Sequence, residues 1–121
     1  MTKKILLVDD DEGIVDALSL VLEEHGYDIC ATLRGEETYE KIKLCMPDLI
    51  LLDILISGVD GRDICKKLKS DISTKSIPVV MISAHPSAER HARIVGADGF
   101  LEKPFEMDDL LRVAKKYTTR N

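Results

Sequence analysis

The sequence predicts an α/β fold in which one parallel sheet lies between layers of helices. Strand-like and helix-like stretches alternate along the chain and make five βα units. Strands one, three and four are continuous apolar runs, the pattern of strands covered on both faces. Asp9, Asp10, Asp53, Ser83 and Lys103 all fall at the carboxyl ends of predicted strands. That edge is where open α/β sheets form their sites.

Each element follows from local chemistry. Ile5-Leu6-Leu7-Val8 reads as a buried strand. Ile14, Ala17, Leu18, Val21 and Leu22 then recur at helical spacing, and Gly26 ends that helix. Residues 27–31 make a second, more polar strand that suits a sheet edge. Residues 35–46 are helical, with Tyr39, Ile42 and Met46 on one side and Pro47 closing the helix. Residues 48–53 form the third strand. Residues 61–70 form a helix with Ile64 and Leu68 inward. After a polar linker, residues 77–82 make the fourth strand. Residues 87–95 are a helix with few apolar positions, and residues 99–102 are a short strand. Met107, Leu110, Leu111, Ala114 and Tyr117 stripe the last helix.

Composition narrows the function. At 121 residues the chain has the size of one domain. It is 45% hydrophobic and 32% charged, which argues against disorder. A net charge of -5, without a basic run, argues against a nucleic-acid surface. The apolar runs are too short for a membrane span or signal peptide. Cys30, Cys45 and Cys65 are odd in number and have no metal-ligand spacing. The sequence therefore indicates neither a disulfide framework nor a zinc site, and a reducing cytoplasm is the expected location. His25, His85 and His91 lack ligand spacing and read as solvated, as do the lysine-rich stretches around residues 66–69 and 115–116.

The strand ends carry the chemistry. Asp53 closes the apolar run Leu49-Ile50-Leu51-Leu52, and a carboxylate there is costly unless it is paired, metal-bound or used. Asp9, Asp10 and Asp53 would share one pocket, and two charges about 4 Å apart repel by roughly 4 kcal/mol at an effective dielectric near 20. Such a pocket calls for a hard cation such as Mg²⁺. Lys103 suits a phosphoryl oxygen, and Ser83 offers a hydroxyl. Together they make a phosphoryl-accepting arrangement around an aspartate nucleophile. Plainer readings stand beside these. Asp10 and Asp11 could cap a helix, Asp53 could be a turn residue, Ser83 could cap a turn, and Lys103-Pro104 could be a surface turn. Phe100 could be ordinary core packing.

Leu6-Leu7-Val8-Asp9-Asp10-Asp11-Glu12, Leu51-Leu52-Asp53, Ile82-Ser83-Ala84 and Lys103-Pro104-Phe105 together resemble the receiver domain of two-component response regulators, the stand-alone chemotaxis regulators included. Gly96-Ala97-Asp98-Gly99-Phe100-Leu101 is similar to that family's approach to its last strand. The resemblance implies a flavodoxin-like, three-layer, doubly wound (βα)₅ sheet of order 2-1-3-4-5, and a single receiver domain over residues 1–121. It implies that Asp53 is the phosphoacceptor, with Lys103 and Ser83 beside it. Asp10, Asp53 and the Leu55 backbone carbonyl would hold Mg²⁺, with Asp9 acting through water. Ser83 and Phe100 would switch the face of the fourth helix, fifth strand and fifth helix. A cis peptide before Pro104 is also implied. The implied donor is a sensor histidine kinase or phosphotransfer protein, with an unspecified downstream effector. The chain would catalyse only its own phosphorylation and dephosphorylation, as a monomer or weak phosphorylation-dependent dimer that contacts neither nucleic acid nor membrane.

The sequence departs from the family pattern at three places. Ser57 stands where proline is usual, which predicts a looser loop after Asp53. Leu55 and His85 occupy the two positions that tune aspartyl-phosphate hydrolysis in the family, and apolar Leu55 predicts a long-lived phosphate. A haloacid dehalogenase-type phosphatase needs an acid where Leu55 stands. A flavodoxin needs a phosphate-cradling loop where Asp9-Asp10-Asp11-Glu12-Gly13 stands. A receiver-like scaffold that works without phosphorylation remains the alternative. No output domain follows Lys116 in this sequence. Docking, onward phosphoryl transfer and membership of a longer protein all stay open.

Overall fold

The computed structural model describes residues 2–85 and 87–119. Strands β1 (Lys4–Val8), β2 (Asp28–Thr32), β3 (Leu49–Asp53), β4 (Val79–Ser83) and β5 (Gly99–Glu102) form one parallel sheet. In space their order is β2-β1-β3-β4-β5, as the family resemblance implies. Helices α1 (Glu12–Glu24), α2 (Thr38–Cys45), α3 (Gly61–Ser70), α4 (Ala88–Ile94) and α5 (Met107–Thr118) connect and follow the strands.

Period-two alternation divides the strand residues between two cores. Leu6, Val8, Ile50, Leu52, Val79 and Met81 face Ile42 of α2, Ile64, Cys65 and Leu68 of α3, and Ala88 and Ala92 of α4. Ile5, Leu7, Leu49, Leu51, Val80 and Ile82 face Val15, Leu18 and Leu22 of α1 and Leu110 and Ala114 of α5. The three central strands are apolar on both sides because both sides are covered. Burying each such Leu or Ile stabilises the fold by roughly 2–3 kcal/mol. The more polar β2 lies at the edge, as its composition predicts.

The structure revises several details. The helix before β3 opens with a 3₁₀ turn, Gly35–Glu37. β4 starts at Val79 rather than at residue 77, and the Val79 N–H donates to the Asp98 carboxylate. A two-stranded ribbon, Leu55–Ile56 with Val59–Asp60, follows β3, too short for any sequence period to reveal. Lys69 is not a solvated lysine: its side chain is 15% exposed and pairs with Asp98. Cys30 on β2 and Cys45 at the end of α2 form a disulfide, their Cα atoms 6.6 Å apart. The expectation of unpaired cysteines fails there, because parallel packing of α2 on the sheet edge joins residues that no spacing rule links. Cys65 stays a buried thiol, and burial pushes it up to about 11. Among the described residues no helix is long and apolar enough to cross a membrane.

Candidate functional site

The carboxyl ends of β1, β3, β4 and β5 meet at one edge and bring the predicted residues together. Asp9 follows β1 and is buried, while Asp10 is exposed beside it. Asp53 ends β3 and is 9% exposed. Carboxylate oxygens of Asp9, Asp10 and Asp53 all lie within 4.8 Å of one another. Lys103, just past β5, places its Nζ 3.5 Å from Asp9 Oδ2 and 3.6 Å from Asp53 Oδ2. The Lys103–Pro104 peptide is cis, as expected.

Burial and the neighbouring Asp9 push Asp53 from the ordinary 3.8 up to about 6. The Lys103 ammonium and the Leu55 backbone N–H pull the other way and do not cancel it. Asp10 moves down, chiefly because the Ser57 hydroxyl donates to it. Asp9 Oδ1 accepts the Asp11 N–H at 2.9 Å, which fixes its carboxylate. Asp11 itself caps α1 by accepting the Ile14 N–H, so the plain capping reading holds for Asp11.

Three carboxylates against one ammonium leave the pocket net negative. Its donors are hard oxygens, and the backbone of Asp53 is pinned in the sheet opposite Ile82. That donor set fits Mg²⁺ and suits neither a soft metal nor an unaccompanied phosphate.

Ser83 ends β4 at the same edge. Its Oγ accepts the His85 N–H at 3.1 Å, and its carbonyl accepts the Lys103 N–H at 2.9 Å. Ser83 therefore also does the turn-capping work of the plain reading. Phe100 on β5 is half-buried and packs on the core of the α3 and α4 side. Leu55 is 72% exposed and lines a cleft of about 200 Å³ with Arg62, Ser83, His85 and His91. His91 is half-buried, with its Nδ1 3.2 Å from Arg62 Nη1, so it is not a solvated histidine.

One residue, Gly61, and one contact, that of Ser57 with Asp10, escaped the sequence reading. Gly61 opens α3 with its N–H donated to Ile54 O at 2.6 Å. A Cβ there would collide with the backbone carbonyl of Asp53, so glycine lets α3 press against the strand end that carries Asp53. The Asp-Gly pair before a helical pattern was the available signal. Ser57 makes a contact that the sequence does not announce: its N–H and Oγ both donate to Asp10 Oδ2, at 2.9 and 2.7 Å. Residue type could not reveal this contact, because it joins two loops 47 residues apart.

Comparison with known proteins gives the family. The family model described as response regulator receiver domain matches residues 5–115. The phosphate regulon transcriptional regulatory protein PhoB of Rhizobium meliloti is 31% identical over 122 residues, spanning 99% of this chain and 54% of that protein. The alkaline phosphatase synthesis transcriptional regulatory protein PhoP of Bacillus subtilis is 38% identical over 109 residues, 87% of this chain and 44% of that one. The chain thus spans about half the length of these curated relatives. The crystal structure of a putative response regulator from Chloroflexus aurantiacus superposes with a TM-score of 0.93 at 33% identity, covering 99% of this chain and 100% of that one. The signal receiver domain of a signal transduction histidine kinase from Syntrophus aciditrophicus gives a TM-score of 0.89 at 30% identity, covering 98% and 91%. The sheet order, the acidic edge and these matches establish that the chain belongs to the family of response regulator receiver domains.

Proposed function

We propose that this chain is a phosphorylation-controlled signalling module, with Asp53 as the phosphoryl acceptor and a phosphohistidine of a sensor histidine kinase or phosphotransfer protein as the donor. The observation that carries the reading is the setting of Asp53: a buried strand-end carboxylate among two other carboxylates, with one lysine at 3.6 Å. An Asp53 oxygen attacks phosphorus, the bond to the histidine nitrogen breaks, and the imidazole leaves and takes up a proton. Even without a cation, a carboxyl near 6 is mostly ionised at pH 7, so Asp53 is in its nucleophilic form. Asp10, Asp53 and the Leu55 carbonyl would hold Mg²⁺, with Asp9 acting through water. The bound ion supplies positive charge for the carboxylates and the transferring phosphoryl oxygens. Lys103 balances Asp9 and Asp53 before transfer and takes a phosphoryl oxygen after it. Ser83 and Phe100 carry the change to the face formed by α4, β5 and α5, where an effector docks.

Intact mass after incubation with Mg²⁺ and acetyl phosphate tests this. The expected result is a gain of one phosphoryl group that requires Mg²⁺ and is lost in Asp53→Asn. No gain in a chain that binds Mg²⁺ would favour a receiver-like scaffold that works without phosphorylation.

A further inference from the structure

Ser57 occupies a conformation that proline cannot adopt. Ser57 and Gly58 are the two-residue loop of the Leu55–Ile56/Val59–Asp60 ribbon, with φ of 33° and 81°. Positive φ at both central residues is the signature of the primed hairpin turns that join two short antiparallel strands. Proline is held near φ −65° and has no N–H. A proline at position 57 would forbid this turn and remove a donor. Serine permits the turn, at the cost of a left-handed backbone on a non-glycine residue.

The turn aims both Ser57 donors at one atom. The Ser57 N–H and hydroxyl reach Asp10 Oδ2 at 2.9 and 2.7 Å. A carboxylate oxygen has two lone pairs, so two donors fill Oδ2 and leave Oδ1 for a cation. Asp10 is exposed and follows the end of β1, outside the strand register. Asp9 is held by the Asp11 N–H and by Lys103, and Asp53 by its place in β3. Asp10 is the ligand that most needs an external brace, and Ser57 provides one.

We infer that Ser57 is a positioning residue for Asp10: its N–H and hydroxyl fix the carboxylate so that Oδ1 is presented to Mg²⁺. The inference rests on the proposed Mg²⁺ site and adds a residue to it. Ser57 touches neither the cation nor the phosphoryl group. It acts through Asp10, in the way that hydrogen-bond partners behind metal ligands orient them.

Calorimetric titration of the purified chain with Mg²⁺ tests it, beside Asp10→Asn, Ser57→Gly and Ser57→Pro, each melted without metal as a folding check. Ser57→Gly keeps the N–H and relieves the positive φ but loses the hydroxyl. It is expected to melt at or above the wild-type temperature and to bind Mg²⁺ roughly three- to tenfold more weakly. Ser57→Pro loses both donors and the turn, and is expected to weaken binding roughly tenfold or more. A serine that served only the loop would give the opposite pattern, with affinity unmoved. Unchanged or tighter Mg²⁺ binding in folded Ser57→Gly overturns the brace while leaving the site intact, provided Asp10→Asn abolishes binding. If the wild-type chain takes up no Mg²⁺, or Asp10→Asn binds it undiminished, the site reading falls and the brace falls with it.

Discussion

Asp53 and Asp98 sit at opposite edges of the same sheet, and their surroundings differ in kind. Asp98 lies at the amino edge, between α4 and β5. Its Oδ2 meets Lys69 Nζ at 2.5 Å and accepts the Val79 N–H at 2.8 Å. Lys69 completes its own set by donating to the carbonyls of Ile77 and Lys75. The Asp98 carbonyl accepts the Tyr117 hydroxyl at 2.9 Å, which ties α5 to the same corner. At the carboxyl edge Asp53 has carboxylate oxygens of Asp9 and Asp10 within 4.8 Å and a single lysine, at 3.6 Å. One carboxylate has its partners, and the other has rivals. A half-buried charge with close partners is structure, whereas a buried charge among like charges lowers stability and is kept for chemistry.

Removing the two charges should therefore act in opposite directions. Asp98→Ala gives the largest expected effect. It strands an ammonium that is 15% exposed and leaves the Val79 N–H without its acceptor. We expect a loss of roughly 2–3 kcal/mol in urea unfolding. A loss below half a kcal/mol would mean that water replaces the pair at no cost.

Asp53→Asn should stabilise the metal-free protein. The rise from 3.8 to about 6 means that the folded chain binds this proton more tightly than the unfolded chain does. Below about pH 3 both states are protonated and the penalty is absent; it grows as pH rises and is complete above about pH 7. At full weight the shift is worth about 3 kcal/mol, and partial solvent access reduces it to about 1–2 kcal/mol. In EDTA, Asp53→Asn should exceed wild type by that amount at pH 8, and the difference should shrink steadily toward pH 4. A variant no more stable than wild type at pH 8 would show that Lys103 already neutralises the pocket.

Comparing the two lysines sharpens the contrast. Lys69→Met removes one member of a completed set, while Lys103→Met removes a cation that screens two acids from 3.5 and 3.6 Å. We expect Lys69→Met to cost more, roughly 2 kcal/mol against about 1 kcal/mol for Lys103→Met. The part of the Lys103→Met loss that comes from Asp53 should fade as pH falls through 6, where that carboxyl takes up its proton. Equal costs at pH 8 and pH 4 would mean that Lys103 matters for packing and not for charge.

The same contrast explains what could be read without coordinates. The acidic edge was legible because its residues sit at the ends of apolar strands, where Asp53 and Lys103 stand out against Leu49-Ile50-Leu51-Leu52 and Phe100-Leu101. The strands and most helix bounds were legible from apolar runs and periodicity, while the sheet order came from family resemblance. The Lys69–Asp98 pair was not legible, because a lysine near the end of a charged helix gives no sign that it turns inward to a residue 29 positions on. The Cys30–Cys45 pair and the Ser57–Asp10 contact failed for the same reason: each depends on how connecting segments pack, which no local period encodes.

The smallest expected effect concerns the open side of the pocket. Leu55 is 72% exposed over the cleft shared with Ser83 and His85 and has no polar atom on its side chain to orient water toward a phosphoryl group on Asp53. His85 could substitute only in part, because its Nδ1 is engaged with the N–H and hydroxyl of Ser87 at 3.2 and 2.9 Å. The phosphorylated chain should therefore lose its phosphate slowly. Leu55→Asn, which adds an amide beside the path of attack, should hasten that loss a few-fold, equivalent to roughly 1 kcal/mol or less. Stability should barely move, since Leu55 is too exposed to contribute to the core. The decay of phosphoprotein mass after removal of acetyl phosphate measures the rate directly. If Leu55→Asn decays no faster than wild type, water reaches Asp53 from the His85 side, and Leu55 plays no part in the phosphate's lifetime.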